Sequence, residues 1–427
     1  MTTATAAKGK TANGTDKAAE LRKILERLVE RGHPYAVKMA KAGVRPGDIR
    51  TLEDLPLLPC TTKQDLLDHY PLGWLACRKE EVVRFHATSG TTGNPTIVAY
   101  NAQDIENWAD SVAWCLRLAG ADARDIVQVA YGYGLFTGGL GLHDGAARLG
   151  AAVIPASGGF TDRQVRMMRD LKSTVLACTP SYALRIAESL GEGEKSSLRV
   201  GIFGAEAWSD EFRRDLEKRL GITALDIYGL SEAMGPGVAM ECLRQDGLHV
   251  ADGFIPEIVD PVTLEPLGSG ETGELVLTSW KKQAYPVIRY RTKDLTVLGS
   301  TPCACGDKSP RIARITGRSD DMMILSGVNV FPSQIESVLC KIPELTANYQ
   351  IKSWRENGMQ KISIACEQRS SSGITKEELE RKAAKKLKET VGVNIPLSVL
   401  EAGVLPRSEG KAVRVIKLPE GVREKIA

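Results

Sequence analysis

Apolar residues at Leu21, Ile24, Leu25, Leu28 and Val29 recur with helical spacing and predict an amphipathic helix over 17–31. Gly- and Pro-containing residues 43–62 read as irregular, and Cys60-Thr61-Thr62-Lys63 leads into a short helix. From 126 onward, short apolar runs alternate with helical patterns. Strands are predicted at 126–130, 152–155, 174–178, 200–203 and 224–228, with helices over 139–148, 163–171 and 180–189 between them. Ser209 reads as the N-cap of a further helix carrying Phe212, Leu216 and Leu220, which Gly221 ends. Such alternation defines an α/β fold with a doubly wound parallel sheet, whose ligands sit at the carboxyl ends of the strands. Residues 247–316 read as β-rich, with turns such as 267–273, and the polar segment 317–322 interrupts the pattern. A smaller α/β unit follows, with a helix over 332–342 and strands near 346–353 and 361–366. In it Thr375 and Glu378 form a capping box that opens a helix running to 391, and a strand follows at 395–400. The expected organisation is a disordered polar tail over 1–16, a large domain over 17–319 and a small mobile C-terminal domain over 320–427.

Composition narrows the partners. A net charge of +3 gives no basic field for nucleic acid, and 5% aromatic content gives no stacking platform for single strands. The first sixteen residues lack the apolar core of a secretory signal, and no later run is long enough to cross a membrane. Nine scattered cysteines, an odd number, suit reduced thiols in a cytoplasmic protein.

Candidate chemistry begins at His86-Ala-Thr-Ser-Gly-Thr-Thr-Gly-Asn-Pro-Thr96, a stretch rich in hydroxyls and glycine. Such a loop can wrap phosphate oxygens closely, although flexible linkers share its composition. It lacks the spacing and the closing lysine of a Walker loop. Behind it come Tyr228-Gly-Leu-Ser-Glu232, Tyr290-Arg-Thr-Lys-Asp294, Gly317-Arg-Ser-Asp-Asp321 and Pro406-Arg-Ser-Glu-Gly-Lys411. In this order the segments resemble the adenylate-forming superfamily of acyl-CoA synthetases, peptide-synthetase adenylation domains and luciferases. Tyr131-Gly-Tyr-Gly-Leu-Phe-Thr-Gly-Gly139 and Gly327-Val-Asn-Val-Phe-Pro332 look like the phenylacetate–CoA ligase family.

The resemblance implies two half-reactions. A carboxylate attacks the α-phosphate of ATP to give acyl-AMP and pyrophosphate, and the CoA thiol then displaces AMP. It further implies that Ser89, Gly90, Thr91, Thr92 and Gly93 grip the triphosphate, with Asn94 where the family usually has lysine. Glu232 is the expected Mg²⁺ ligand, since a hard cation takes carboxylate oxygen. Tyr228 is expected against adenine, Asp294 on the ribose hydroxyls and Arg318 on ribose or phosphate. Glu206, Asp226, Gly229 and Ser231 complete the expected nucleotide site. Lys411 is the expected adenylation lysine and Asp320 the hinge about which the small domain rotates. Tyr133, Phe136, Gly204 and Ala205 are expected to line the acyl pocket, their small neighbours suiting a flat aromatic acid. Tyr131 is expected in the core.

Cys242, His249, Cys303 and Cys305 form a second group. Cys303-Ala-Cys305-Gly306 resembles a metal knuckle, and the turn over 245–247 sets Cys242 near His249. Some relatives of this family carry zinc at such positions. The alternatives are a structural zinc site or four separate side chains in a reduced protein. The expected activity is an ATP-dependent aryl carboxylate–CoA ligase (phenylacetate, benzoate or anthranilate type). Transfer to a carrier-protein phosphopantetheine, or adenylylation of another acceptor, are the alternatives. A homodimer is implied by the resemblance alone.

Overall fold

The computed structural model describes residues 14–88, 95–190, 196–325, 328–356, 359–370, 373–408 and 411–419. The triphosphate loop expected at 89–94, the first thirteen residues and Glu409-Gly410 lie outside them. The chain opens with α1 (Gly14–Glu30), α2 (Pro34–Lys41) and α3 (Lys63–Asp68). Helix α1 thus starts inside the segment expected to be a tail. Once Leu21, Ile24, Leu25 and Leu28 are buried, the helix extends by whole turns at little cost. Val29 stays 49% exposed, a correction to the expected apolar face: it falls one residue past the stripe, at the helix end.

An antiparallel hairpin, β1 (Val82–Ala87) and β2 (Ile97–Asn101), follows and leads into α4 (Ala102–Leu118). Asn101 and Asp104 cap α4 reciprocally. The alternating units are β3 (Ile126–Val129), α5 (Gly138–Leu149), β4 (Ala152–Ile154), α6 (Thr161–Leu171), β5 (Val175–Cys178), α7 (Pro180–Leu190), β6 (Val200–Gly204), α8 (Asp210–Leu220) and β7 (Thr223–Tyr228). Ser209 caps α8 through the Phe212 amide at 3.2 Å, and Gly221 ends the helix at φ 68°. Strands β8 (Ala239–Glu241), β9 (Leu248–Val250) and β13 (Arg311–Ile312) extend the sheet, giving the order β13-β9-β8-β7-β6-β5-β3-β4. The run from β7 to β4 is parallel and the other edge antiparallel. Because β4 and β5 flank β3 on opposite sides, the chain changes direction there. A crevice opens at the carboxyl ends of β3, β5, β6 and β7.

A second, antiparallel sheet holds β10 (Phe254–Val259), β11 (Thr272–Ser279), β12 (Tyr290–Val297) and β14 (Gly317–Arg318). After β14 come the hairpin β15 (Met323–Leu325) and β16 (Val328–Val330), then α9 (Pro332–Cys340), β17 (Leu345–Glu356), β18 (Met359–Gln368), α10 (Lys376–Val391), β19 (Leu397–Leu400) and β20 (Val415–Lys417). Their sheet runs β19-β18-β17-β20 and encloses its own core around Ile335, Leu339, Ile351, Ile364, Leu379 and Leu387. The architecture is therefore α/β with a large sheet-bearing part and a smaller C-terminal unit.

Candidate active site

Gly204 ends β6 where a Cβ would lie 2.2 Å from the Ile227 carbonyl oxygen. The close approach of β7, rather than space for a substrate ring, is what requires glycine there. Ala205 then takes a left-handed φ of 69° and turns Glu206 into the crevice. Glu206 accepts from the Ser181 hydroxyl at 2.7 Å, from the Ser181 amide, and from the amide of Ala412, one residue past Lys411. Burial raises the pKa of Glu206, and these donors partly offset it.

Strand β7 delivers Tyr228, and its hydroxyl donates to Asp294 Oδ2 at 2.5 Å. Asp294 is buried on β12 opposite Arg318 in the β12–β14 register. Its other oxygen accepts from Arg318 Nη1 at 3.1 Å. Arg318 also forks onto both oxygens of Asp320 at 2.9 Å each. Burial pushes the Asp294 carboxyl up, while Arg318, Tyr228 and Lys411 act the other way. Lys411 is exposed and lines a separate cavity with Ser181, Arg185, Glu188, Tyr349 and Arg414, and its charge favours the ionised form of Asp294.

Past Gly229, Glu232 lies in a short 3₁₀ turn and is only 6% exposed. It accepts from the Tyr290 hydroxyl at 3.3 Å, and burial raises its pKa. Ser231 meets the Thr137 hydroxyl at 3.2 Å, and its carbonyl accepts from Tyr100 at 2.8 Å. Phe136, Gly204, Ala205, Gly229 and Ser231 line one cavity beside these groups, together with Tyr131. The expected acyl set is thus only partly assembled. Tyr133 does not line that cavity; its hydroxyl meets His143 Nδ1 at 3.3 Å. Asp226 is held by Arg314 at 3.2 Å, in a buried ionic group with Glu241 and Arg213, and contributes to the support of β7. Sequence reasoning missed Ser181, Tyr100 and Tyr290. Tyr290 opens a motif already singled out, whereas only the fold brings Ser181 and Tyr100 to the crevice.

The β8–β9 hairpin pairs Met240 with His249, and β13 pairs Arg311 with His249. This register gathers Cys242, His249, Cys303 and Cys305, whose ligand atoms all lie within 4.8 Å of one another. Cys242 Sγ is 3.7 Å from Cys303 Sγ, and Cys305 Sγ is 3.4 Å from His249 Nε2. A tetrahedral zinc would set these edges at about 3.8 and about 3.6 Å, so the four residues fit the ion. Gly306, at φ 86°, closes the knuckle by donating to the Cys303 carbonyl. His249 Nδ1 faces Ser309 Oγ at 3.2 Å and Asp307 at 3.4 Å, which orients its ring.

A doubly wound sheet with acidic groups at its strand ends, reached by the Ala412 amide of a second unit, has the layout of a nucleotide-activating enzyme. The chain matches the AMP-binding enzyme family over residues 56–280 and the AMP-binding enzyme C-terminal domain over 327–418. It is 49% identical over 410 residues to the phenylacetate-coenzyme A ligase of Escherichia coli (strain K12), covering 93% of each chain. Among solved structures it is similar to 2-hydroxyisobutyryl-CoA ligase in its postadenylation state, with TM-score 0.88, 25% identity, and 95% and 89% of the two chains covered. Against the thioesterification state of that ligase the TM-score is 0.69, at 25% identity and 96% and 90% coverage. The protein belongs to the AMP-binding enzyme family, and within it to the phenylacetate–CoA ligase family. It is an AMP-forming acid–thiol ligase that uses ATP and CoA.

Proposed function

We propose that the acid activated by this AMP-forming aryl carboxylate–CoA ligase is phenylacetate, and that the acceptor is free CoA. Support comes from the relatives named for that reaction, at 43–49% identity over most of the chain. The observation that carries the reading is one crevice where Phe136, Ala205 and Ser231 border a cavity beside Glu206, Glu232 and Asp294, with the amide of Ala412, next to Lys411, reaching Glu206 from the other unit.

In the first step a carboxylate oxygen of the acid attacks the α-phosphorus, the bond to the bridging oxygen breaks, and pyrophosphate leaves. Both reactants are anionic, so Lys411 brings them together, with Ser89–Gly93 gripping the β- and γ-phosphates. Tyr228 packs on adenine, while Asp294 and Arg318 take the ribose and its phosphate. Mg²⁺ would be held at Glu232 and would neutralise charge on the triphosphate. Rotation about Asp320 then withdraws Lys411. The CoA sulfur attacks the acyl carbon, AMP departs with the bonding pair, and the thiol proton passes to solvent. Zinc would be held by Cys242, His249, Cys303 and Cys305 and would pin the sheet edge to the knuckle, with no part in the reaction.

A pyrophosphate-release screen tests the substrate. Phenylacetate should give the highest kcat/KM among phenylacetate, benzoate, hydroxybenzoates, anthranilate and short fatty acids, and a benzoate-type optimum would overturn the assignment. CoA should accept the acyl group, and acylation of a phosphopantetheinylated carrier in preference to CoA would favour the alternative acceptor. Lys411→Ala should abolish acyl-AMP formation yet spare thioester formation from supplied acyl-AMP. Elemental analysis of protein purified without chelator should find about one zinc per chain.

A further inference from the structure

The hairpin that carries residues 89–94 stands on an aromatic cluster. Tyr100, on β2, stacks on Trp108 with ring centroids 5.1 Å apart, and His86, on β1, meets both rings edge-on at 5.5 and 5.6 Å. Into this cluster runs Lys282, just beyond β11. Its side chain is fully buried, and its Nζ sits 3.6 Å from the centroid of the Tyr100 ring. Among the described residues that ammonium has no hydrogen-bond partner.

A buried cation without such a partner is costly unless its surroundings offset the lost hydration. Two features do so. The face of an aromatic ring attracts a desolvated cation. Burial lowers the Lys282 pKa to about 8, and the carboxylates of Asp104 and Glu232 act against it in favour of the charged form. Asp104 is already satisfied: it accepts from the Gln283 and Ala284 amides at 2.6 and 2.9 Å, which fixes the backbone just after Lys282. Glu232 is the residue read above as the metal-binding carboxylate. The same Tyr100 that carries the ammonium on its face donates its hydroxyl to the Ser231 carbonyl, next to Glu232. One ring thus joins the stem of the phosphate hairpin, a buried ammonium and the Ser231–Glu232 turn.

We propose that Lys282 is a positioning residue for adenylation, its ammonium seated on Tyr100 so that Tyr100 holds the Ser231–Glu232 turn in register with the stem of the 89–94 loop. The proposal rests on the reading of that loop and of Glu232 as the ATP and metal site. Lys282 touches no reacting atom; it acts through Tyr100 and through its charge beside Glu232. A merely structural lysine would support both half-reactions equally, whereas a positioning lysine serves the step that handles ATP.

The test measures both half-reactions in the full-length enzyme for Lys282→Met, Tyr100→Phe and the double variant. Lys282→Met keeps an unbranched side chain, one atom shorter, and removes the charge. Acyl-AMP formation should lose about tenfold in kcat/KM for ATP in Lys282→Met, the scale of a desolvated cation–π contact. Thioester formation from supplied acyl-AMP should be unchanged. The double variant should lose no more than the worse single variant, because both changes break one relay. Additive losses, equal losses in the two half-reactions, or an unaltered ATP dependence would each overturn the proposal. If Lys282→Met fails to fold, Lys282→Gln, which keeps hydrogen-bond donors, takes its place. Failure of both to fold would make the role structural and overturn it too. Glu232→Gln is assayed alongside for its Mg²⁺ dependence. A normal dependence there would remove the metal reading while leaving the Lys282–Tyr100 coupling to be judged on its own cycle.

Discussion

Asp294 spends both oxygens in this structure, one on the Tyr228 hydroxyl and one on Arg318. A carboxylate held by two donors presents its remaining lone pairs in a set direction, which suits recognition of a ribose diol. Asp294→Asn removes the charge that both partners use. It should lower kcat/KM for ATP by about 10–100-fold, as expected for hydrogen bonds to a charged group. Tyr228→Phe keeps the ring and loses one donor, so its loss should stay below about tenfold. Steady-state kinetics with varied ATP separates the two, and the opposite order would mean that Asp294 is only a structural acceptor. At this scale the sequence was informative where a residue carries its own charge inside a motif, as Glu232, Asp294 and Lys411 do. It was silent on Ser181 and Tyr100, whose importance comes from what the fold sets beside them. Tyr131 lies in the core as expected and also borders the cavity, while Tyr133 meets His143. Alternation within an irregular glycine-rich segment cannot tell which aromatic turns inward.

Elements are held by local devices that polar side chains announce. The capping box at Thr375 and the glycine end at Gly221 could be read from sequence because each satisfies orphan helix groups within a few residues. The β1–β2 hairpin could not, because its pairing spans the 89–94 loop. Helix α2 uses a less familiar cap. His33 Nδ1 accepts from the Tyr35 amide at 3.1 Å, so its Nε2 carries the proton and donates to the Trp74 carbonyl at 2.9 Å. Burial lowers the His33 pKa from 6.5 to about 4. Since the folded value lies below the unfolded one, the contribution is complete above pH 6.5 and is lost as pH falls toward 4. Between pH 7.5 and 4.5 this one group accounts for a loss of roughly 2–3 kcal/mol. His33→Asn keeps a capping acceptor without that titration. Its stability by denaturant unfolding should fall less over the same interval, and an identical fall would show that His33 does not titrate as described. At the sheet edge, Asp307→Ala should weaken zinc retention about 10–100-fold against a chelator, because it removes an orienting partner of His249. Unchanged retention would separate Asp307 from the metal.

The whole molecule is held together across its two parts by small contacts. Glu336 accepts from the Ser209 amide at 2.7 Å, Ser337 donates to Glu211 at 3.1 Å, and Arg369 and Arg407 approach Asp215 and Glu188 at 3.4 and 3.5 Å. Ion pairs of this kind contribute about 0–1 kcal/mol each, so the arrangement can be held and yet released within a catalytic cycle. With Asp320 as the proposed hinge, the turn after β14 changes as the smaller unit swings. That turn is closed by Ser319 donating to Lys293 and Asp321 donating to Arg318, so proline at 320 removes neither bond. Proline does fix φ near −65° and restrict the residue before it, which opposes rotation. Asp320→Pro should therefore form acyl-AMP at a rate within about threefold of the parent while thioester formation from supplied acyl-AMP falls more than about tenfold. Asp320 also clamps Arg318, so Asp320→Asn is the control for the lost charge. If the asparagine variant slows both half-reactions as the proline variant does, the effect belongs to the Arg318 clamp. If proline spares thioester formation, the smaller unit turns about some other point.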